Sequence, residues 1–258
     1  MNHVGTKESG RHPRETSDAA AALLEAARVL RDELAGLTFP PPVATVYDPL
    51  EYAWDGYRQY VERYAGTPRR VVFLGMNPGP WGMAQTGVPF GEVAAVRDLL
   101  GLSPAIGHPP AEHPKKPVRG MACPRAEVSG RRLWGLFAER YGSLPRFLAE
   151  HFVVNYSPLL FLAEGGANVT PENLRGEAIE RLTRACDRHL CRVIEILRPE
   201  WLIGIGRFAE NAANRALAGA PLKIGSILHP SPASPAANRG WAAAATAALE
   251  EMGVWPLQ

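Results

Sequence analysis

Four short apolar runs separated by helical patterns constrain this chain more than any other feature. They are Arg70-Val71-Val72-Phe73-Leu74 ending in Gly75, His151-Phe152-Val153-Val154-Asn155, Trp201-Leu202-Ile203-Gly204-Ile205 and Leu222-Lys223-Ile224-Gly225-Ser226-Ile227. Runs this short, apolar throughout, fit strands buried on both faces, as in a parallel sheet. Helical spacing fills the intervals over Gly91 to Leu100, Leu133 to Tyr141, Pro171 to Leu197 and Phe208 to Leu217, and an Ala-rich helix follows from Trp241 to Met252. Upstream, Ala19 to Leu37 reads as a helix with Asp18 as N-cap and Gly36 as stop. The aromatic-rich stretch Tyr47 to Tyr64 also reads as helical, its aromatic stripe assigned to the core. Strands alternating with helices predict an α/β fold, three layers α/β/α around a central, mainly parallel four-stranded sheet. The 258 residues suffice for a core without disulfide or metal staples. No linker or internal repeat divides them, so residues 18–258 are expected to form one domain after a frayed or disordered polar tail, residues 1–17.

The 25 glycines and 24 prolines exceed ordinary globular usage, and they cluster. Residues 75–91 hold five glycines and three prolines in 17 positions, a density that lets backbone approach a ligand and fixes a shape. A second cluster lies in the stretch from Gly101 to Arg132, which carries no secondary-structure signal. Within it, residues 108–132 hold Lys115, Lys116, Arg119, Arg125, Arg131 and Arg132 against Glu112 and Glu127, a net +4. This is either a solvated basic loop or a phosphate-contacting surface. A whole-chain net charge of +2 excludes a histone-like polycation but not a local basic face. Three sparse cysteines, Cys123, Cys186 and Cys191, argue for a reduced protein without a disulfide framework. The polar start has no apolar core of a secretory signal, and no run approaches the ~18 apolar residues of a membrane span. A cytoplasmic, bacterial-type protein acting at the nucleoid, with no membrane partner, is expected.

In open α/β sheets ligands bind at the carboxyl ends of the strands. The polar side chains following the first, second and fourth runs are Asn77, Asn155 and His229. None is a carboxylate or a thiol. An Asn amide donates and accepts at once and can read an amide-like edge such as that of uracil. A His can stabilise an anion by hydrogen bonding. The set suits a reaction that develops charge and needs electrostatic help more than a strong acid-base pair. Taken alone, Asn77 before Pro78 is also a common turn signal, Asn155 a strand-end cap, His229 a structural histidine and Phe90 a core residue.

The loop Gly75-Met76-Asn77-Pro78-Gly79-Pro80, continuing Gly82-Met83-Ala84-Gln85-Thr86-Gly87-Val88-Pro89-Phe90-Gly91, resembles the water-activating motif of the SMUG family. These are the single-strand-selective monofunctional uracil-DNA glycosylases of the uracil-DNA glycosylase superfamily. The resemblance continues through Tyr47-Asp48-Pro49-Leu50-Glu51-Tyr52-Ala53-Trp54, Glu127-Val128-Ser129-Gly130, Pro158-Leu159-Leu160-Phe161-Leu162-Ala163 and His229-Pro230-Ser231-Pro232, over about residues 44–255. It implies a uracil-DNA glycosylase-like fold, excision of uracil and 5-modified uracils such as 5-hydroxymethyluracil from single- and double-stranded DNA, a monomer, and no cofactor or metal. It implies that Asn77 positions the attacking water, His229 stabilises charge on uracil O2, Asn155 binds the base edge and Phe90 stacks on the flipped base. Met76, Gly79 and Met83 would shape the pocket around C5. Pro230, Ser231, Pro232, Ala233, Ser234, Pro235 and Arg239 would form a wedge that enters the duplex. Ala233 stands where the family often has a basic residue, and Trp81 where many relatives carry Phe.

Two competing readings remain at this level. Gly204-Ile205-Gly206-Arg207-Phe208-Ala209 fits a loose dinucleotide-binding pattern. No Asp or Glu occurs from Asn211 to Leu249 to bind a ribose, so a close-packing turn is the alternative. A non-catalytic module that binds damaged bases is the other. The cysteines and histidines lack metal-ligand spacing.

Overall fold

The computed structural model describes residues 17–257. Residues 1–16 of the expected tail lie outside the described residues. Ser17 belongs to the folded chain: its side chain accepts a hydrogen bond from the Ala20 N–H and caps helix α1 (Asp18–Leu34). The cap is thus one residue earlier than Asp18, because the serine hydroxyl reaches the first orphan amides.

The four apolar runs form strands β2 (Val71–Gly75), β3 (His151–Asn155), β6 (Trp201–Ile205) and β7 (Lys223–Ile227), all parallel, in the order β3-β2-β6-β7. Every residue of β2 is buried, as the lack of alternation requires. The pairing is in register at the carboxyl edge, with Gly75 opposite Asn155, Leu74 opposite Gly204 and Ile205 opposite Ile227. Strand order reverses at β2, which has β3 on one side and β6 on the other. This is the topological switch point at which α/β sheets bind ligands.

Helices flank the sheet. They are α3 (Trp54–Tyr64), α5 (Val128–Tyr141), α6 (Leu144–Glu150), α7 (Glu177–Leu197), α8 (Arg207–Ala216) and α10 (Trp241–Glu251), with single turns α2 (Pro49–Tyr52), α4 (Met83–Thr86) and α9 (Pro235–Asn238). Helix α1 packs on α7, α8 on β6 and β7, and α10 on β7 and α5. Residues of all these layers share one apolar cluster running from Ala20 to Trp255. The free edge of β3 is covered by α3: the Tyr60 hydroxyl donates to Val153 O (3.1 Å) and accepts from Val153 N–H (3.2 Å). A covered edge cannot template further strand pairing.

Three expectations need correction. Tyr47 to Tyr64 is not one helix, because Tyr47 ends strand β1 (Val43–Tyr47), which pairs antiparallel with β4 (Leu160–Ala163), and β4 pairs with β5 (Asn168–Val169). Asp48 stops the helix short, its side chain capping α2 through the Leu50 N–H at 2.9 Å. Second, Pro171 to Leu197 breaks at Gly176, φ +104°, before α7 begins. Third, the segment without signal ends at Glu127, since Val128 already starts α5.

The glycines of the 75–91 loop and its supports are packing residues. A Cβ on Gly56 of α3 would overlap the Thr86 carbonyl oxygen, whereas a Cβ on Gly135 of α5 would meet nothing within 4 Å. Gly56→Ala is therefore expected to lower the thermal midpoint sharply, through a backbone clash that no rotamer relieves. Gly135→Ala is expected to stabilise by about 0.5–1 kcal/mol, the helix-propensity gain. Thermal and urea unfolding of both variants measure this.

Candidate active site

A cavity of about 420 Å³ opens at the carboxyl edge of β2 and β3. Asn77, Asn155 and His229, separated by up to 152 residues in sequence, all line it, together with Phe90, Glu127 and Ser231. The sheet register explains the convergence. Gly75 and Asn155 end paired strands, Asn77 follows two residues after Gly75, and His229 follows two residues after Ile227.

Gly75 makes the convergence possible. A Cβ there would overlap Asn155 Oδ1 and lie 2.5 Å from Phe90 Cε2. Phe90 adopts φ +53°, a left-handed backbone costly for an aromatic residue, and its ring is 6.1 Å from the His229 ring at an interplanar angle of 42°. Strain of that kind persists only where the surroundings hold it. Here Thr86 Oγ1 donates to Gly91 O (2.8 Å) and accepts from Val88 N–H (3.2 Å), while Gly130 leaves room for the Phe90 carbonyl.

Each polar side chain is oriented by a specific bond. Asn77 Nδ2 donates to Leu159 O at 3.2 Å, just ahead of β4, which leaves Oδ1 as an acceptor. Asn155 Nδ2 donates to Met83 Sδ at 3.3 Å, and Asn155 Oδ1 is buried without a partner among the described residues. A thioether accepts but cannot donate, so this contact sets which way the amide faces. The Ser231 N–H donates to His229 Nδ1 at 3.1 Å, so that nitrogen carries no proton and Nε2 holds the ring hydrogen. Burial pushes the His229 imidazole down to about 4, which keeps it neutral near pH 7.

The expected pocket residues Met76 and Gly79 line the cavity, as do Ser231 and Pro232. Met83 does not reach the wall; it lies buried behind Asn155. Of the expected wedge, Pro230 is buried and Ser231 and Ser234 are half-buried, whereas Pro232, Ala233, Pro235 and Arg239 are exposed. The segment is braced: Arg132 donates to Pro230 O (3.0 Å) and Asn238 Oδ1 (2.9 Å), and Asn238 Nδ2 donates to Pro232 O (2.8 Å). The dinucleotide-like glycines have packing reasons instead. A Cβ on Gly204 would lie 2.6 Å from Glu210 N, and one on Gly206 would lie 3.1 Å from His229 Cβ. Among the described residues no group of three or more His, Cys, Asp or Glu side chains is arranged for a metal, and no helix is long and apolar enough to cross a membrane.

Glu127 is a wall residue to which the sequence assigned no role. Its carboxylate accepts from Trp81 N–H at 3.3 Å and fills the space beside Gly79 and Gly82. Burial pushes its pKa up to about 7, against the lowering pull of the Trp81 and Gly82 amides and with a small push from Glu92. The signal that could have found it is the two glycines of Gly79-Pro80-Trp81-Gly82, which vacate space for a side chain from elsewhere. Because the folded-state pKa lies above the unfolded value, the folded protein holds an extra proton between about pH 4.5 and 7. Wild-type stability should therefore fall relative to Glu127→Gln as pH rises through that window and run parallel to it above pH 8. Urea unfolding at pH 5, 7 and 8.5 tests this; parallel curves across the window would refute it.

The comparisons with known proteins agree with one another. The family model described as the uracil DNA glycosylase superfamily matches residues 64–251. A single-strand selective monofunctional uracil-DNA glycosylase of Rattus norvegicus is 50% identical over 240 residues, 92% of this chain and 86% of that protein. Its Bos taurus counterpart is 51% identical over 230 residues, 88% of this chain and 85% of that protein. The crystal structure of wild-type Pedobacter heparinus SMUG2 superposes with TM-score 0.60 at 17% identity, covering 89% of this chain and 98% of that one, which is a likeness of fold.

Proposed function

Because the chain belongs to the uracil DNA glycosylase superfamily, we propose that this pocket receives a uracil flipped out of DNA and that water hydrolyses its N-glycosidic bond. The observation that carries the reading is the buried, unpartnered Oδ1 of Asn155 beside an Nδ2 held toward Met83. A buried acceptor without a partner costs about 1–3 kcal/mol, so the site is complete only with a donor supplied by a ligand. Uracil presents an N–H donor flanked by carbonyl acceptors. Cytosine shares the O2 acceptor but carries a bare N3 acceptor where uracil has its N–H, and would leave Oδ1 facing that lone pair.

In the reaction, the bond between C1′ and the base nitrogen breaks, both electrons leave with the base, and the sugar gains oxocarbenium character. His229 donates its Nε2 hydrogen to the O2 oxygen on which negative charge gathers. A neutral imidazole serves this purpose, since it supplies a directed donor without first losing a charge to solvent. Asn77 Oδ1 accepts a hydrogen from the attacking water and aims its oxygen at C1′. The water's oxygen bonds to C1′, its proton passes to the departing base or to solvent, and an abasic site remains. Among the described residues no lysine lines the cavity to form a Schiff base, which supports hydrolysis without strand cleavage.

Flipping costs a few kcal/mol, and stacking on Phe90 returns roughly 1–3 kcal/mol. The wedge from Pro230 to Pro235 with Arg239 takes the vacated space; its bracing by Arg132 and Asn238 means little entropy is lost on insertion. Met76 and Gly79 line the wall where a 5-substituent, such as that of 5-hydroxymethyluracil, would sit. Single-stranded DNA is the preferred substrate, as the names of the mammalian relatives specify for those proteins, and duplex DNA is a second substrate. No partner subunit is needed, since the groups named here all come from one chain.

The test is release of uracil from a synthetic single-stranded oligonucleotide, read as alkali-labile strand scission; no scission with uracil or any 5-modified uracil would refute the reading. Asn77→Ala and His229→Ala should each lower the single-turnover rate about 100-fold or more. In the Glu127→Gln background, which removes the wall carboxyl that titrates near 7, the pH profile should be flat from pH 6 to 8 and fall only as His229 takes up its proton near 4. An inflection near 6.5 would rule out the neutral-imidazole role.

A further inference from the structure

A second cavity, of about 780 Å³, opens beside the candidate active site and shares one wall with it, the indole of Trp81. Lys115, Lys116, Arg119 and Arg125 line it, and among the described residues no carboxylate does. Among the described residues none of these four side chains forms an ion pair or a hydrogen bond, although twelve ion pairs elsewhere engage Lys or Arg side chains. The two acids of the same loop are engaged otherwise: Glu112 by His108 (2.6 Å) and the Val118 N–H (3.3 Å), and Glu127 by the Trp81 N–H (3.3 Å). Lys116 Nζ lies 4.9 Å and Arg125 Cζ 4.7 Å from the centre of the Trp81 ring, so cation–π attraction holds two like charges on one indole. Burial and the neighbouring Arg125 charge both lower the Lys116 pKa, the signature of cations lacking a counter-anion.

The cleft is built. Gln85, fully buried, donates to Pro80 O (2.9 Å) and Pro117 O (3.0 Å) and accepts from Arg119 N–H (2.7 Å), which clamps the basic loop to the pocket loop. The Tyr47 hydroxyl donates to Lys116 O and accepts from His113 N–H. Opposite stands the turn Gly165-Gly166-Ala167 between β4 and β5, where small residues keep the cleft open.

We propose that this cleft binds the phosphodiester backbone of the DNA strand adjoining the flipped nucleotide, Lys116 and Arg125 taking one phosphate and Lys115 and Arg119 the next. The inference rests on the proposed function for the identity of the strand. A path built from cations and backbone, without base-reading groups, serves a single strand of any sequence. Of the two readings of the basic loop, it takes the phosphate-contacting one.

The test is anisotropy titration of the full chain with single-stranded oligonucleotides lacking uracil, from 50 to 300 mM salt. Each phosphate that the protein ceases to neutralise reduces the slope of log Kd against log salt by about 0.7. Lys116→Gln/Arg125→Gln should lower the slope by about that amount for the phosphate assigned to this pair and weaken binding several-fold at low salt. Lys116→Arg/Arg125→Lys should restore both, and Arg192→Gln, a cation on the distant α7, should change neither. Should the first pair fail to fold, Lys115→Gln/Arg119→Gln, whose side chains hold no hydrogen bond, must lower the slope in the same way. Unchanged slopes in the Gln variants overturn the proposal. So does inorganic phosphate binding that Lys116→Gln/Arg125→Gln abolishes while the DNA slope stays intact, since the cleft would then hold a free anion. If wild type releases no uracil but the Gln variants show reduced slopes, the proposed reaction falls and the cleft stands; uracil release with unchanged slopes gives the converse.

Discussion

The pocket depends on a missing side chain at Gly75. This residue ends the central strand in register with Asn155, and a Cβ there would overlap the Asn155 amide and the Phe90 ring together. Strand pairing fixes Asn155 against Gly75, and the Thr86 bonds to Gly91 and Val88 brace the backbone on either side of Phe90, so neither partner retreats freely. The base-reading amide and the stacking ring meet only because glycine lets the sheet edge come so close.

Around that point the structure solves a second problem, which is to hold irregular backbone rigid. Loops carry unpaired amides and carbonyls, and a buried loop must satisfy them. Gln85, Thr86 and Glu127 do so from inside, each side chain bonding to backbone of the 75–91 loop or its neighbours. The glycines in the loop serve these anchors as much as they serve a ligand. Gly79 and Gly82 make room for Glu127, and Gly87 would overlap Ala53 O if it carried a Cβ. The strained φ of Phe90 is sustained by this network.

Electrostatics divides the active face into two zones. Apart from Glu127, the base pocket is lined by uncharged groups, with His229 kept uncharged by burial and the thioether of Met83 directing Asn155. Next to it, across Trp81, unpaired cations gather on the loop from Lys115 to Arg125. A neutral reading site discriminates hydrogen-bond patterns, while a charged flank supplies affinity that is blind to sequence. Placing both on one indole couples them without mixing them.

The amino-acid sequence alone determined the parallel sheet, because β2, β3 and β6 are apolar without alternation and helical spacing separates the four runs; β7, with Lys223 exposed, is the least regular of them. It also determined that Asn77, Asn155 and His229 lie at strand ends, since each follows an apolar run directly. Periodicity could not show β1, β4 and β5, which are too short to carry a period, so Tyr47 was absorbed into a helical pattern that Asp48 interrupts. Nor could it assign Glu127, whose part comes from the space left by Gly79 and Gly82, or the place of Met83 behind Asn155. The +4 loop was legible as charge but not as a cleft, because the pairing of a cation depends on what the fold brings near it. Local pattern specifies which elements form; orientation of an amide, tautomer of an imidazole and isolation of a charge arise from contacts between residues far apart in the chain, and only the tertiary structure decides those.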